Sequence, residues 1–473
     1  VPLATSKESL DAYKRARTGQ LRVDGGISAR FEQARFKRAD ASVAPGQIKH
    51  PLTQWGRRLT DIQVQQGQAV QADQLLARSE SLELRASLPG KIAEIVPSKR
   101  RAKGHILIQA DGKKQSKPRA ESKPLGKDAP VNEMRRFARE KGIWPEILAG
   151  MEMLPPRPDD EPKAIVVRCV YAEPYVARGS DIIGDDVDAF TNGLEFLSRL
   201  GGGYAPIWLT FPDYAGQLGQ TIRERLRGRA FVRTVTVPVR YPVENPLLLS
   251  TLLGQAHDWG PDHFWVLDPQ AVIALWRAFD SGQAWHSRTV AVSGPAVEAP
   301  ALVEAPLGTP LLELVKDHVG GVDVDTCCIL RGGLYLGQRA DKNDGLEYGD
   351  RSIVVIPEDE GPELFGWLNP GLDRHSWTNA YVSSLTRPVF RAKSLLRGAK
   401  RPCVQCGFCH QACPVGLYPH QLHRLITLEL LDEAEQMGLL NCVECNSCAY
   451  GCVSKLDLAR DIVLARRKVL REE

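Results

Sequence analysis

The 473-residue sequence has no stretch approaching eighteen uncharged apolar residues, which excludes a transmembrane helix by the length a bilayer requires. Its longest apolar runs, such as "NPLLLSTLLG" from Asn245, are of core length. The first residues, "VPLATSKESLDAYKRAR", lack the apolar centre of a secretory signal and are charged from Lys7 onward, so a cytoplasmic protein is expected. Net charge is also small, +4, and no nucleic-acid partner is expected. Cysteine is scarce before position 403, where only Cys169, Cys327 and Cys328 occur. They show no ligand spacing and read as small buried hydrophobes.

The remaining eight of the eleven cysteines lie together between Cys403 and Cys452. Clustered thiols in a reducing compartment point to metal rather than to disulfides. One stretch, "RPCVQCGFCHQACPVG", reads Cys403-x2-Cys406-x2-Cys409-x3-Cys413-Pro414, and "CVECNSCAYGCV" repeats the spacing at Cys442, Cys445, Cys448 and Cys452. Three thiolates at every third position on a tight loop reach three corners of one iron–sulfur cube, and the fourth ligates the neighbouring cube. The expected sets are Cys403, Cys406, Cys409 and Cys452 on one 4Fe-4S cluster, and Cys442, Cys445, Cys448 and Cys413 on the other. Structural zinc is the alternative, but it normally uses two separated cysteine pairs and gains nothing from a third cysteine three residues on. Val453 stands where the second motif would carry proline, which changes loop stiffness but removes no ligand. Apolar positions Leu422, Leu425, Ile426, Leu428, Leu430 and Leu431 suggest two short helices between the motifs. A stripe of Leu458, Ile462, Val463 and Val469 suggests one after them. His410 and His420, close to the first motif, read as surface residues without catalytic duty, although the charge of His410 would bear on a cluster potential.

The rest of the chain divides into segments of different character, and the expected fold class is multidomain α/β. Residues 1–20 form a tail. Residues 21–112 hold short alternating strands and "ASLPGKIAEI", the pattern of a barrel-sandwich hybrid; no lysine stands at the hairpin tip near Ser79, Glu80 and Ser81, so a biotinyl or lipoyl carrier role is set aside. Residues 113–130 are a polar, basic linker. Residues 131–285 alternate apolar strands ("AIVVRCV", "PIWLTF", "RTVTVPV", "HFWVLD") with amphipathic helices, as in a Rossmann-like parallel sheet. Any ligand there is expected at the carboxyl ends of the strands. Residues 286–356 suggest a β-grasp (SLBB-like) domain of two or three strands on one helix, 357–400 a connector, and 401–473 an α-helical two-cluster ferredoxin domain. The basic run Arg387–Lys400 reads as a solvated linker, or as a contact to an acidic partner or anionic membrane surface.

With these motifs in place, the sequence resembles the RnfC/NqrA family, the peripheral subunits of two bacterial membrane complexes: the Rnf ferredoxin:NAD oxidoreductase and the Na+-translocating NADH:quinone reductase (Nqr). "GGISARF", "YAEPYVARGSDII", "RTVAVSGPAV", "PVGLYPHQL" and "NCVECNSCAYGC" are similar to the Rnf member. "KGIWPEI", "NGLEFLSRL" and "ELFGWLNPGLDRHS" look more like the Nqr member, which has no clusters. The resemblance implies a place on the cytoplasmic face of the inner membrane, with other subunits of an Rnf- or Nqr-like complex, a ferredoxin or a flavoprotein as partners. It also implies a GxGGxGFP loop for flavin and NADH phosphates, which only glycine would allow. Here the stretch is "EKGIWPEILAGMEMLP", so FMN and NADH are not expected. Glu173 in "YAEPY" keeps the acidic residue that faces the flavin in relatives, and reads as part of a degenerate flavin site with a structural role. "LGGGY" at Leu200 follows a helix and does not restore the loop. The preferred reading is an electron-transfer subunit. The alternatives are a dehydrogenase subunit that binds flavin and NADH, and a soluble iron–sulfur scaffold. Phe365, Trp367 and Trp377 of the connector also suit a quinone ring.

Overall fold

The computed structural model describes residues 23, 25–27, 31–32, 34–39, 42–79, 82–99, 103–111, 123–126, 128–203, 205–212, 216–255, 257–320, 323–358, 382–386, 389–392 and 400–472. The quinone expectation at Phe365, Trp367 and Trp377 lies outside these residues, as do most of the linker and most of the basic run.

Near the N-terminus, antiparallel strands occur in the order Gln47–Pro51, His105–Ala110, Gly90–Val96, Ala69–Val70, beside a smaller sheet of Asp61–Ile62, Leu75–Arg78 and Glu83–Arg85. Alternate residues of "HILIQA" turn inward, so Ile106 and Ile108 join Ile48, Val70, Leu76, Leu84 and Ile92 in one core. Among the described residues these sheets stay open, without barrel closure.

The middle of the chain forms a five-stranded sheet in the order Leu148–Ala149, Phe264–Leu267, Ala164–Arg168, Ile207–Pro212, Val232–Val237. The last four strands are mutually parallel and the first is antiparallel. "AIVVR" is buried along its whole length because helices cover both faces, which is why its apolar residues run without alternation. Ile165 and Val167 meet helices Val187–Leu200 and Pro269–Ser281 on one side. Ala164 and Val166 meet helix Pro246–Gln255 on the other, together with Val443 and Cys445 from the second cysteine motif. Local chemistry sets the ends of Pro269–Ser281: the Asp268 carboxylate accepts the Ala271 N–H at 3.0 Å, Pro269 opens the helix, and Gly282 closes it at φ 70°.

A third sheet has six strands, in the order Lys37–Arg38, Ala301–Pro306, Ser287–Ser293, Ser352–Pro357, Cys327–Arg331, Gln338–Ala340. The expected two or three strands on one helix understate it, although helix Leu311–Val315 does pack on its core. Ser352–Pro357 lies inside the sheet and Lys37–Arg38 adds an edge; both pair with strands remote in sequence, which no local pattern reveals. Cys169 and Cys328 are buried as expected, whereas Cys327 is half-buried.

At the C-terminal end, helices Phe408–Gln411, Pro419–Thr427, Leu431–Gln436, Ser447–Tyr450 and Leu458–Glu472 enclose Leu417, Leu422, Ala434, Leu439, Ile462, Ala465 and Val469. Leu428 and Leu430, between the two short helices expected there, are 57% and 39% exposed because helix Pro419–Thr427 ends before them. No helix among the described residues is long and apolar enough to cross a membrane.

Helices Val187–Leu200 and Pro269–Ser281 cross at Gly193, where a Cβ would run into the Val272 carbonyl oxygen. Alanine favours a helix interior over glycine by ~1 kcal/mol, whereas overpacking a core costs about 1–3 kcal/mol. Gly193→Ala is therefore expected to lower stability by up to about 2 kcal/mol net. Urea denaturation checks this, and a gain in stability would show that the crossing has room.

Candidate metal centre

The two cysteine motifs fold alike. Gln405 and its counterpart Glu444 take φ of 52° and 54°, Gly407 and Asn446 take 77° and 62°, and Gly416 and Lys455 take 68° and 57°. Left-handed backbone suits glycine and asparagine, but it strains Gln405 and Glu444. The same strain at equivalent places in both loops marks a shared geometric demand. After the second cysteine of each motif a short helix begins, Phe408–Gln411 or Ser447–Tyr450, and it carries the third. The exchange of Pro414 for Val453 leaves this path intact.

The eight thiols sort into two hollows. One is lined by Cys403, Cys406, Cys409 and Cys452, with Val404, His420 and Leu458. The other is lined by Cys413, Cys442, Cys445 and Cys448, with Leu417, Val443 and Ile462. Each hollow thus takes three cysteines from one motif and one from the other, the partition expected from spacing. Among the described residues no three His, Cys, Asp or Glu side chains converge on the position of a single metal ion.

Hydrogen bonds and burial differ between the two. The Leu417 N–H reaches Cys413 Sγ at 3.3 Å, and His420 Nδ1 lies 3.7 Å from Cys409 Sγ. His410 instead donates Nδ1–H to the Leu417 carbonyl at 2.7 Å and stacks on Tyr418 with ring centroids 4.1 Å apart, a local clasp. Cys403 and Cys406 are exposed, whereas Cys445 is buried. Burial pushes the Cys442 thiol up to about 12 and Cys445 up to about 11, and Cys448 is pushed well above its ordinary value.

The second hollow is built against the carboxyl ends of the parallel strands, where a ligand was expected. Beyond Val232–Val237, Asn245 Nδ2 donates to the Val443 carbonyl at 2.9 Å and the Tyr241 hydroxyl donates to the Cys445 carbonyl. Asn446 Nδ2 donates to the Tyr335 carbonyl at 2.7 Å. The Tyr335 ring lies 4.6 Å from Tyr241 and 4.7 Å from Tyr450. Gly26 donates its N–H to the Ala412 carbonyl at 2.9 Å, and Gly25, at φ +65°, approaches the Cys413 carbonyl so closely that a Cβ would collide with it. Sequence reasoning missed Tyr241, Asn245 and Tyr335, since nothing in their local pattern points to a partner two hundred or so residues away.

Glu173 lies at this junction. Its Oε1 accepts the N–H groups of Tyr335 and Leu336 at 2.7 and 2.8 Å, in space left by the missing side chain of Gly333. Its own N–H donates to Glu244 Oε1 at 2.7 Å. Burial pushes Glu173 up to about 7, and burial with Glu173 beside it pushes Glu244 up to about 8. The segment standing where the glycine loop would open is packed solid. Trp144 is 1% exposed, donates its indole N–H to the Pro156 carbonyl at 2.9 Å and meets Trp265 edge-on. Glu146 accepts from Arg288 Nη1 at 2.5 Å and from the Gly349 N–H at 2.6 Å.

The fold and the thiol-lined hollows define an iron–sulfur protein of the two-motif class, and residues 402–457 match the family described as "4Fe-4S dicluster domain". Over most of its length the chain is homologous to the NqrA component of the Na+-translocating NADH-quinone reductase. It is 24% identical to NqrA from Photorhabdus laumondii, over 83% of this chain and 87% of the relative. It is 26% identical to the one from Aliivibrio salmonicida, over 85% and 86%. To the one from Pseudomonas aeruginosa it is 25% identical, over 92% and 94%. The chain is thus a relative of the RnfC/NqrA group, as its motifs imply. A solved NAD+-reducing [NiFe]-hydrogenase aligns over 73% of this chain and 65% of its own at 13% identity and a TM-score of 0.41, a likeness too slight to bear on fold or function.

Glu173 and Glu244 hold their protons more tightly folded than unfolded, where the ordinary value is near 4.5. Their contribution to stability is complete below that value and is lost as pH rises through about 7 to 8. The melting temperature should accordingly fall across this range, and Glu244→Gln should flatten the slope. Parallel slopes in both proteins would remove these carboxyls as its source.

Proposed function

We propose that this chain is the electron-transfer subunit of a membrane-associated, ion-translocating NADH oxidoreductase of the Nqr or Rnf type, and that it holds two 4Fe-4S clusters. Cys403, Cys406, Cys409 and Cys452 hold one, and Cys442, Cys445, Cys448 and Cys413 the other. The observation that carries this reading is the partition of eight thiols into two hollows, three from one motif and one from the other in each. Three cysteines at every third position, repeated in a second motif, favour clusters over zinc. Bound clusters supply one-electron carriers whose potentials depend on hydrogen bonds, charge and burial. The chain's residues do the rest: they hold iron through thiolates, exclude water with Val443, Leu417 and Ile462, and expose the edge of Cys403 and Cys406 to a redox partner.

The body acts as a scaffold that binds neighbouring subunits at the cytoplasmic face. We read it as a barrel-sandwich hybrid over 21–112, a Rossmann-like domain over 131–285 and an SLBB-like β-grasp domain over 286–356. Trp144 and Glu146 fill the place of a nucleotide loop, and Glu173 accepts backbone N–H groups, which favours a relay over a flavin- and NADH-binding dehydrogenase. The names of the homologues support NADH and quinone as the terminal partners of the complex rather than of this chain.

Anaerobically purified protein should contain about eight irons and equivalent sulfide, no flavin, and EPR signals that appear with dithionite and not with NADH. Cys445→Ala should lower iron to about four or convert one cluster, and abolish electron flow with the body still folded. Reduction by NADH through bound flavin would overturn the relay reading, and an unchanged EPR spectrum in Cys445→Ala would overturn the ligand sets.

A further inference from the structure

The two motif loops share a backbone path but not an electrostatic setting. Arg466, on helix Leu458–Glu472, is 1% exposed, and all three of its guanidinium nitrogens are engaged. Nε donates to the Leu440 carbonyl at 3.2 Å, Nη1 to Glu444 Oε1 at 2.8 Å and Nη2 to the Met151 carbonyl at 2.8 Å. Arg467 adds a bond from Nη2 to Glu444 Oε2 at 2.6 Å, so two guanidinium groups share one carboxylate. Leu440 and Glu444 flank Cys442, and Glu444 lines the second hollow beside Val443, Ala459 and Ile462. In the first motif the positions equivalent to Glu444 and Arg466 are Gln405 and Thr427, both uncharged. A buried surplus of positive charge is therefore built beside one hollow, whereas the arginine near the first motif, Arg401 at the position equivalent to Leu440, is exposed. A buried charge acts through a low-dielectric wall and is screened far less than an exposed one.

We propose that Arg466 raises the reduction potential of the cluster held by Cys413, Cys442, Cys445 and Cys448, selectively over that of its neighbour. This rests on the two-cluster reading. One electron taken from an external one-electron donor makes the thiolate-bound centre more negative by one charge, with no bond formed or broken. A fixed cation beside it favours the reduced form. Arg466 is a positioning residue in the same stroke, since its bond to Met151 ties the cysteine-bearing unit to the α/β body.

The test is an EPR-monitored redox titration of the full-length, cluster-loaded protein, with iron and sulfide assayed in every sample. R466Q should lower one of two potentials and leave the other in place, and R466K, which keeps the charge, should stay near wild type. E444Q, which strips the carboxylate from two guanidinium groups, should move the same potential upward. Unchanged potentials in R466Q, a joint shift of both signals, or an R466K shift as large as that of R466Q would overturn the proposal. Should R466Q lose iron, the sign in E444Q decides: a rise supports the proposal and its absence overturns it. A wild-type protein with only one titrating centre would overturn the two-cluster reading instead, and so tells the two failures apart.

Discussion

Asn245 and Tyr241 donate to the carbonyl oxygens of Val443 and Cys445, and the burial of the second cysteine loop depends on those two contacts. A peptide carbonyl taken out of water without a partner costs about 1–3 kcal/mol. The loop can press Val443 and Cys445 into the sheet's hydrophobic core only because the body presents donors where these carbonyls arrive. Both donors come from the segment following Val232–Val237, so the carboxyl edge of the parallel sheet serves as the seat of the cysteine-bearing unit. Arg466 reinforces the same seat from the opposite side through the Met151 carbonyl.

This seating accounts for the state of the crevice in which α/β sheets usually bind ligands. Glu173, beyond the end of Ala164–Arg168, spends its carboxylate on the backbone of Tyr335 and Leu336. Glu146 is taken up by Arg288 and the Gly349 N–H, and Asp268 by Arg351 at 2.7 Å. Burial alone would raise Asp268, but Arg351 and Arg288 hold it below the ordinary carboxylate range. These acidic groups join one part of the chain to another. The two hollows are thereby made unequal, one with exposed cysteines and one enclosed against the body.

Much of this was legible in the sequence, for reasons that differ by feature. The two cysteine motifs were, because their spacing is local and duplicated. The parallel strands were, because "AIVVR" and "HFWVL" are apolar enough to be buried on both faces. Glu173 was singled out, yet its partners were not: Glu244, Tyr335 and Gly333 are brought to it by tertiary contact. The size of the third sheet was not legible either, since Lys37–Arg38 and Ser352–Pro357 add strands across long separations. The two short helices between the motifs were legible from their apolar positions, although these do not say where the first helix stops.

The sequence by itself determined which atoms can bind iron, where helices and strands arise, and that a glycine loop for nucleotide phosphates is missing. These properties follow from residue type and spacing within a few turns of chain. Only the tertiary structure decided that the second hollow is sealed against the sheet, and that Arg466 lies buried beside it, with an uncharged Thr427 at the equivalent position of the other motif. Burial and the pairing of buried polar groups are properties of three-dimensional neighbours, and neighbours such as Tyr241 and Cys445, or Met151 and Arg466, are set by the closure of the whole chain.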